Sequence, residues 1–207
     1  MSCPDLLITT PFRYTVDGIG EFVILPLGRS DIPLVHEWVT TERASFWGMQ
    51  NQTLAQVDAV YQSQIDSAHH APYMAFCNGK PAFLLETYDP AHDELGEHYQ
   101  VLPGDRGMHF LVAPVAASPV HGFSRAVMQT ILAFLFSDDQ VTRIVVEPDV
   151  RNEKIHPLNR AAGFEYLRTV ELSYKTAWLA VCQRQQFQES QRFHESSSAQ
   201  FCMETAS

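Results

Sequence analysis

Short apolar runs of strand type alternate along this chain with segments whose apolar residues recur at helical spacing, and that order constrains the fold more than any other feature. Residues 20–27 (GEFVILPL) are β-branched and aromatic and end at Pro26 and Gly28, which reads as a strand. Ser30 and Asp31 then offer an N-cap, Pro33 suits a first helical turn, and Ile32, Val35, Trp38 and Val39 share a helix face. A second helix starts at Thr53, with Leu54, Val57, Val60, Tyr61 and Ile65 on one side. Residues 73–77 and 82–88 read as a hairpin across Asn78-Gly79, a pair that accepts positive φ. After a polar loop over 89–105 come a short central strand at 108–112 and a helix at 124–136 with Val127, Ile131, Phe134 and Leu135 inward. A buried strand at 143–146 is stopped by Pro148, and a short helix ends at Gly163. Strands at 164–171 and 175–182 close the series. The order β-α-α-β-β-β-α-β-α-β-β predicts an α+β fold, a mixed central sheet flanked by helices.

Composition narrows the function. With 14 Lys and Arg against 24 Asp and Glu, the formal net charge of −10 argues against broad binding to nucleic-acid backbone or an anionic membrane. Hydrophobic residues at 45% suffice for a packed core, and the length suits one domain with a tail. No apolar run approaches the ~20 residues of a membrane helix. The N-terminus lacks the basic start and apolar stretch of a secretion signal, so a cytoplasmic protein is expected. Four scattered cysteines (Cys3, Cys77, Cys182, Cys202) read as free thiols in a reducing compartment. Nine histidines include no HxxxH or HxH pair beside a cysteine or carboxylate cluster, so no metal site is expected. His69, His70, His92 and His98 read as loop and surface groups. The domain is expected over residues 20–182, between an N-terminal segment (1–19) and a polar, Gln- and Ser-rich tail (183–207) that reads as a helical extension fraying into disorder.

Three features of the second half could carry chemistry. His109 sits in the apolar strand RGMHFLV, where period-two alternation puts His109 and Leu111 on one face and Met108 and Phe110 on the other. The strand RIVVEPD delivers Glu147 and Asp149 at its C-terminal end, where Pro148 stops ladder pairing. The loop APVAASPVHGFSRA carries Ser118, Gly122 and Ser124 ahead of a helix N-terminus, whose free amides favour phosphate. Each has a bland reading beside the functional one: a satisfied core histidine, a turn-capping Asp149, a Glu147 paired with Arg143 or Arg151, and a glycine that merely precedes a helix.

Together these motifs resemble a known family. HGFS lies where GNAT acyltransferases have an R/Q-x-x-G-x-G/A pyrophosphate loop, and RGMHFLV, FLF, VVEPDVRNEK and AAGFEY resemble its hydroxamate-siderophore branch. That branch includes the acyltransferases of the aerobactin, alcaligin, rhizobactin, desferrioxamine and mycobactin pathways. HEWVTTERASFWGM resembles its Trp-Phe-Trp-like region, ETYD its E-x-Y segment and YKTAWLA its late K-T-A strand, so the likeness runs from about Phe22 to Ala180. The resemblance implies a GNAT fold with splayed central strands and a metal-free transfer of an acetyl or succinyl group from acyl-coenzyme A. The acceptor it implies is the hydroxylated terminal nitrogen of a diamine or lysine, with possible contacts to other siderophore-pathway enzymes. It implies His109 and Asp149 as the polar pair at the reacting centre. Asp149 is favoured as base and His109 as the group gripping the hydroxylamine, with the reverse assignment open. It implies Trp47 beside the acceptor pocket, His121, Gly122, Phe123 and Ser124 as pyrophosphate cradle, and Asn152 as the asparagine of EPDxRN. Amides near Leu111, Val112 and Ala113, where the strands splay, are the expected oxyanion donors. Glu86, Asp89 or Glu147 could hold the acceptor's second, charged amine. Pro119 stands where Arg or Gln is expected and Ser124 where Gly or Ala is expected; backbone amides bind phosphate, so the fold should tolerate both. Pro157 is expected in the first turn of the helix after Asn152. Two other readings are a general GNAT acting on an ordinary amine, such as an aminoglycoside or polyamine, and a catalytically silent acyl-coenzyme A-binding scaffold.

Overall fold

The chain builds strands β1 (Phe12–Val16), β2 (Gly20–Pro26), β3 (His70–Cys77), β4 (Lys80–Tyr88), β5 (Asp105–Val112), β6 (Arg143–Val146), β7 (Glu165–Leu172) and β8 (Lys175–Gln183). Helices α1 (Ile32–Val39) and α2 (Leu54–Ile65) follow β2, α3 (Phe123–Leu135) follows β5, and α4 (Ile155–Ala161) follows β6. These come from a computed structural model that describes residues 8–114 and 120–192. The strands form one sheet in the order β1-β2-β3-β4-β5-β6-β8-β7. Every neighbouring pair is antiparallel except β5 with β6, which is parallel.

Local chemistry explains the elements that frame the site. Thr53 caps α2 reciprocally: Gln56 N–H donates to Thr53 Oγ1 (3.3 Å) and Thr53 N–H donates to Gln56 Oε1 (2.8 Å). The β3–β4 hairpin turns on Asn78 (φ 49°) and Gly79 (φ 75°), the two left-handed residues a tight hairpin turn requires. Alternation along β4 then sorts the core. Phe83 and Leu85 pack on the α3 side with Val127, Ile131 and Phe134, while Leu84 packs on the other side with Val35, Trp38 and Tyr61 of α1 and α2. Tyr88, Leu95, Val145 and Leu179 form a third apolar group.

The structure adds one strand to the predicted order and lengthens others. β1 lies within the segment set apart as 1–19, pairing with β2 from Phe12↔Ile24 to Val16↔Gly20. Its FRYTV is an edge strand with only alternate residues half-buried, so it lacks the apolar signal that marks central strands. β5 begins at Asp105 rather than Met108, because Arg143 Nε and Nη2 grip the buried Asp105 carboxylate at 2.7 and 2.6 Å. The same contact removes Arg143 as a partner for Glu147. Pro157 lies in the first turn of α4, as the sequence predicts. The polar tail starts as a helix over 184–192 that is anchored: Phe187 is buried against Phe136, with centroids 5.6 Å apart, and Arg184 Nη2 donates to the Val141 carbonyl at 2.6 Å. The expected frayed end lies outside the described residues. Cys77 and Cys182 are buried free thiols, and Cys3 and Cys202 also lie outside the described residues. Among the described residues, no helix is long and apolar enough to cross a membrane.

Candidate active site

The site opens where two adjacent strands part. β5 and β6 pair only from Asp105↔Arg143 to Gly107↔Val145, after which β6 ends at Val146 while β5 continues beside β4 as far as Phe83↔Val112. Antiparallel ladders direct alternate residues' amides to one partner. Ala113 N–H donates to the Ala82 carbonyl at 2.8 Å, so Ala113 and Leu111 point their amides at β4. Of the three expected oxyanion donors, Leu111 and Ala113 are therefore corrected. Val112, joined by Phe110, directs its amide into the gap beyond β6. Arg43 Nη1 closes the end of β5, donating to the carbonyls of Val112 (3.3 Å) and Ala113 (2.8 Å).

A cavity of about 790 Å³ occupies this gap, and its walls include Trp47, Glu86, His109, Leu111, Glu147, Asp149, Asn152 and Lys175. Val112, Ala113 and residues 121–124 are not among its lining residues. Gly122 (φ 80°) opens α3, and space beside its Cα is empty, so the left-handed turn rather than close packing is what asks for glycine there. His121 is exposed at this turn. Phe123 turns its ring into the core on Phe22 (centroids 5.8 Å) and its amide onto the Val120 carbonyl (3.2 Å), which corrects Phe123 as a cradle donor. Ser124 stands in the first turn of α3, where amides have no helical acceptor. Ser118 and Pro119 lie outside the described residues.

His109 is the hub of a charged network. Its Nε2 bonds Glu147 Oε1, and its Nδ1 lies 3.5 Å from Glu86 Oε2, the residue directly opposite on β4. Glu147, only 3% exposed, also accepts from the Tyr88 hydroxyl (2.7 Å) and Lys175 Nζ (3.4 Å). Tyr88 reaches it by crossing the backbone of Gly107, where any Cβ would stand 2.2 Å from the ring. On the other side, Trp47 Nε1–H donates to the Tyr61 hydroxyl (3.2 Å), Tyr61 bonds Glu86, and the Trp47 ring meets His109 edge-on with centroids 6.4 Å apart.

Asp149 is held differently. It accepts from the Arg151 amide (2.8 Å) and from Arg151 Nε (2.9 Å) and Nη2 (2.6 Å), while an isolated bridge to Ala177 fixes its backbone beside β8. The predicted pair thus shares one cavity without a direct bond: His109 pairs with Glu147, and Asp149 with Arg151. This also corrects Glu147 as a partner of Arg151. Asn152 N–H closes the same turn on the Asp149 carbonyl (3.0 Å). Asp89 does not line the cavity; its carboxylate serves Ala91 N–H and His92 instead. Neither described cysteine lines it, so neither is placed to take an acyl group. Tyr61, Tyr88, Lys175 and Arg43 were not predicted as site residues. The E-x-Y spacing of Glu86 and Tyr88, one face of a strand, was the available signal.

Burial opposes a charge on His109, but Glu147 and then Glu86 outweigh it and raise its pKa well above the ordinary imidazole value. Burial likewise opposes ionisation of Glu147, yet His109, Lys175 and the Tyr88 hydroxyl hold it below the usual carboxylate range. The Arg151 guanidinium lowers Asp149. The raised His109 pKa means that its pairing stabilises the fold fully below the unfolded value of about 6.5 and is lost as pH rises through the native value. For Glu147 the contribution is present above its unfolded value of about 4.3 and is lost as pH falls through the native one. In urea unfolding, the wild type should lose more stability than His109→Gln as pH rises from about 7 towards about 10. Parallel curves would contradict the ion pair.

A mixed sheet whose two central strands splay over a polar cavity, with a glycine-opened helix after the first of them, is the architecture of acyl-coenzyme A-dependent GNAT enzymes. Residues 28–172 match the acetyltransferase (GNAT) domain, and the chain belongs to that family. Among curated relatives, it is 24% identical over 158 residues to the N(6)-hydroxylysine O-acetyltransferase of Escherichia coli, covering 76% of this chain and 50% of that protein. It is 26% identical over 165 residues to the N-hydroxyputrescine acetyltransferase of Acinetobacter baumannii, covering 80% of this chain and 77% of that protein. The chain thus spans about half the length of the first relative and about three quarters of the second. Among solved structures, AAC(6')-Ib in complex with ribostamycin and coenzyme A superposes with a TM-score of 0.72 at 27% identity, covering 81% of this chain and 96% of that one.

Proposed function

We propose that this protein transfers an acyl group, acetyl or succinyl, from acyl-coenzyme A to the hydroxylated terminal nitrogen of a diamine or lysine, giving a hydroxamate of the kind used in siderophores. The observation that carries this reading is His109, bonded to Glu147 through Nε2 with its Nδ1 only loosely placed 3.5 Å from Glu86, in the same cavity as an Asp149 carboxylate gripped by Arg151. A substituted hydroxylamine is neutral at physiological pH and attacks a thioester without prior deprotonation. Its nitrogen becomes strongly acidic only once the C–N bond has formed, and a weak carboxylate base then suffices. An alkylammonium acceptor would first need a stronger base. The N-hydroxyputrescine acetyltransferase and the N(6)-hydroxylysine O-acetyltransferase among the relatives support an N-hydroxylated amine as the acceptor molecule.

In this reading the Nδ1–H of His109 donates to the acceptor's N-hydroxyl oxygen, replacing the 3.5 Å contact with Glu86. The nitrogen attacks the thioester carbonyl, and the amides of Phe110 and Val112 take the developing oxyanion. Asp149, released from Arg151, accepts the nitrogen proton. The C–S bond breaks, and the proton passes to the leaving thiolate. Arg151 can yield because its side chain is 75% exposed. His121, Gly122 and Ser124, with the first-turn amides of α3, hold the pyrophosphate of the donor, and Asn152 lines the approach.

Glu86 holds the second, charged amine of a diamine. Glu86→Gln should raise KM for the acceptor about tenfold, the equivalent of one charge-assisted hydrogen bond, with kcat within about twofold. Equal loss in both would contradict this role. A pH–rate profile tests the acceptor class. With N-hydroxyputrescine, kcat/KM should stay flat from about pH 6.5 to 8.5, because acceptor, His109 and Asp149 keep their states. A tenfold climb per pH unit would instead indicate an ordinary amine, the reading that the aminoglycoside-bound neighbour favours.

A further inference from the structure

The start of β3 and the turn after β4 bring together three ligating groups that the acyl-transfer site leaves unused. The ladder runs one step past His70↔Tyr88, with Asp89 N–H donating to the His69 carbonyl at 2.9 Å. Asp89 then caps the 3₁₀ turn Pro90–His92, accepting from Ala91 N–H at 3.0 Å. That turn folds His92 back, so that its Nδ1 lies 3.0 Å from Asp89 Oδ2 and its ring stacks on His69 with centroids 3.5 Å apart. One ligating atom from each of His69, Asp89 and His92 lies within 4.8 Å of the other two.

The chemistry of this cluster is unresolved without a ligand. His69 Nδ1 is buried and has no hydrogen-bond partner, a state that costs free energy unless something binds there. Two imidazoles and one carboxylate each bring a ligating atom to the same place. The neighbouring turn begins with Asp93 and Glu94, which adds negative potential. None of the three residues lines the acyl-transfer cavity.

We propose that His69, Asp89 and His92 form a binding site for a divalent transition-metal ion of the Zn²⁺ class. Two imidazoles and one carboxylate suit Zn²⁺, Co²⁺ or Ni²⁺, whereas Mg²⁺ and Ca²⁺ favour shells of oxygen. Three protein ligands leave a coordination position for water. Metal bonds lie in the plane of each imidazole, so capture tilts the two rings out of their stack while Asp89 and the backbone stay in place. The bound ion would tie the loop after β4 to the start of β3. Spacing alone predicts no metal site because these ligands come from two separate segments.

Metal-free, full-length protein titrated with Co²⁺ tests this. The expected result is one equivalent bound, with the visible d–d bands of a low-coordinate ion, displaced by Zn²⁺ but not by Mg²⁺. Zn²⁺ at a hundredfold excess over Kd should raise Tm by about 5–10 °C. His92→Gln, on an exposed turn, should weaken Co²⁺ binding at least a hundredfold while its own metal-free Tm stays within about 2 °C of wild type. His98→Gln should bind as wild type does. Absence of the bands, displacement by Mg²⁺, or equal binding by His92→Gln would each overturn the proposal.

Discussion

His109→Gln lowers kcat with an N-hydroxylated diamine by about a thousandfold, while acetyl-coenzyme A binding changes less than about threefold. The expectation follows from where the charge sits. In the proposed mechanism His109 presents a positive donor to the acceptor oxygen, and Glu147 against Nε2 with Glu86 facing Nδ1 favours that charge. A neutral amide restores neither the charge nor the geometry. Glutamine is preferred to alanine because Glu147 is almost fully buried, and stripping it of every partner on that side risks a folding defect of about 3–5 kcal/mol. A circular-dichroism melt accompanies the kinetics. A folded His109→Gln protein with unchanged kcat would remove His109 from the chemistry.

Asp149→Asn has the second largest expected effect, a fall of about a hundredfold or more in kcat with KM nearly constant. Asparagine can still accept from the Arg151 amide through its oxygen, so the turn at Pro148–Asn152 stays closed. What is lost is the group that takes the nitrogen proton in the proposed mechanism. The exposed Arg151 pairing contributes little stability of its own, so Tm should stay within about 2 °C. Arg151→Ala gives the opposite signature. Freed from the guanidinium, Asp149 becomes a stronger base, and kcat is kept or raised. Loss of activity in both variants alike would assign the Asp149–Arg151 pair a structural role.

Much of this site was legible because it is local. Strand alternation correctly set His109 and Leu111 on one face, and both meet the α1–α2 side with Trp47. The turn chemistry of Asn78-Gly79 and the helix start at Thr53 are written within a few residues, and both form as the sequence predicts, with Thr53 as the N-cap. What escaped depends on register between distant segments. That Glu147 meets His109 requires knowing that β5 and β6 lie side by side and stop pairing after Gly107↔Val145. That Ala113 is bonded, and Val112 directed into the gap, requires its partner Ala82. β1 escaped for a different reason. An edge strand with polar alternate residues needs little hydrophobic signal, since β2 supplies its hydrogen bonds.

The network around His109 also separates binding from chemistry in a testable way. Trp47, Tyr61 and Glu86 form one hydrogen-bonded chain facing Nδ1 of His109, the side assigned above to the acceptor, while Tyr88, Lys175 and Glu147 form another behind the imidazole. Changes in the first chain should act mainly on acceptor KM and changes in the second mainly on kcat.

The central claim is the identity of the acceptor nitrogen, and thiol release reads it directly. Purified protein is given acetyl- or succinyl-coenzyme A with N-hydroxycadaverine in one vessel and plain cadaverine in another, at pH 7.5. The account predicts turnover with the hydroxylated amine at least about a hundredfold faster than with cadaverine, and the faster donor names the acyl group. Turnover of cadaverine at an equal or greater rate, or coenzyme A binding with no thiol release from either amine, would contradict it.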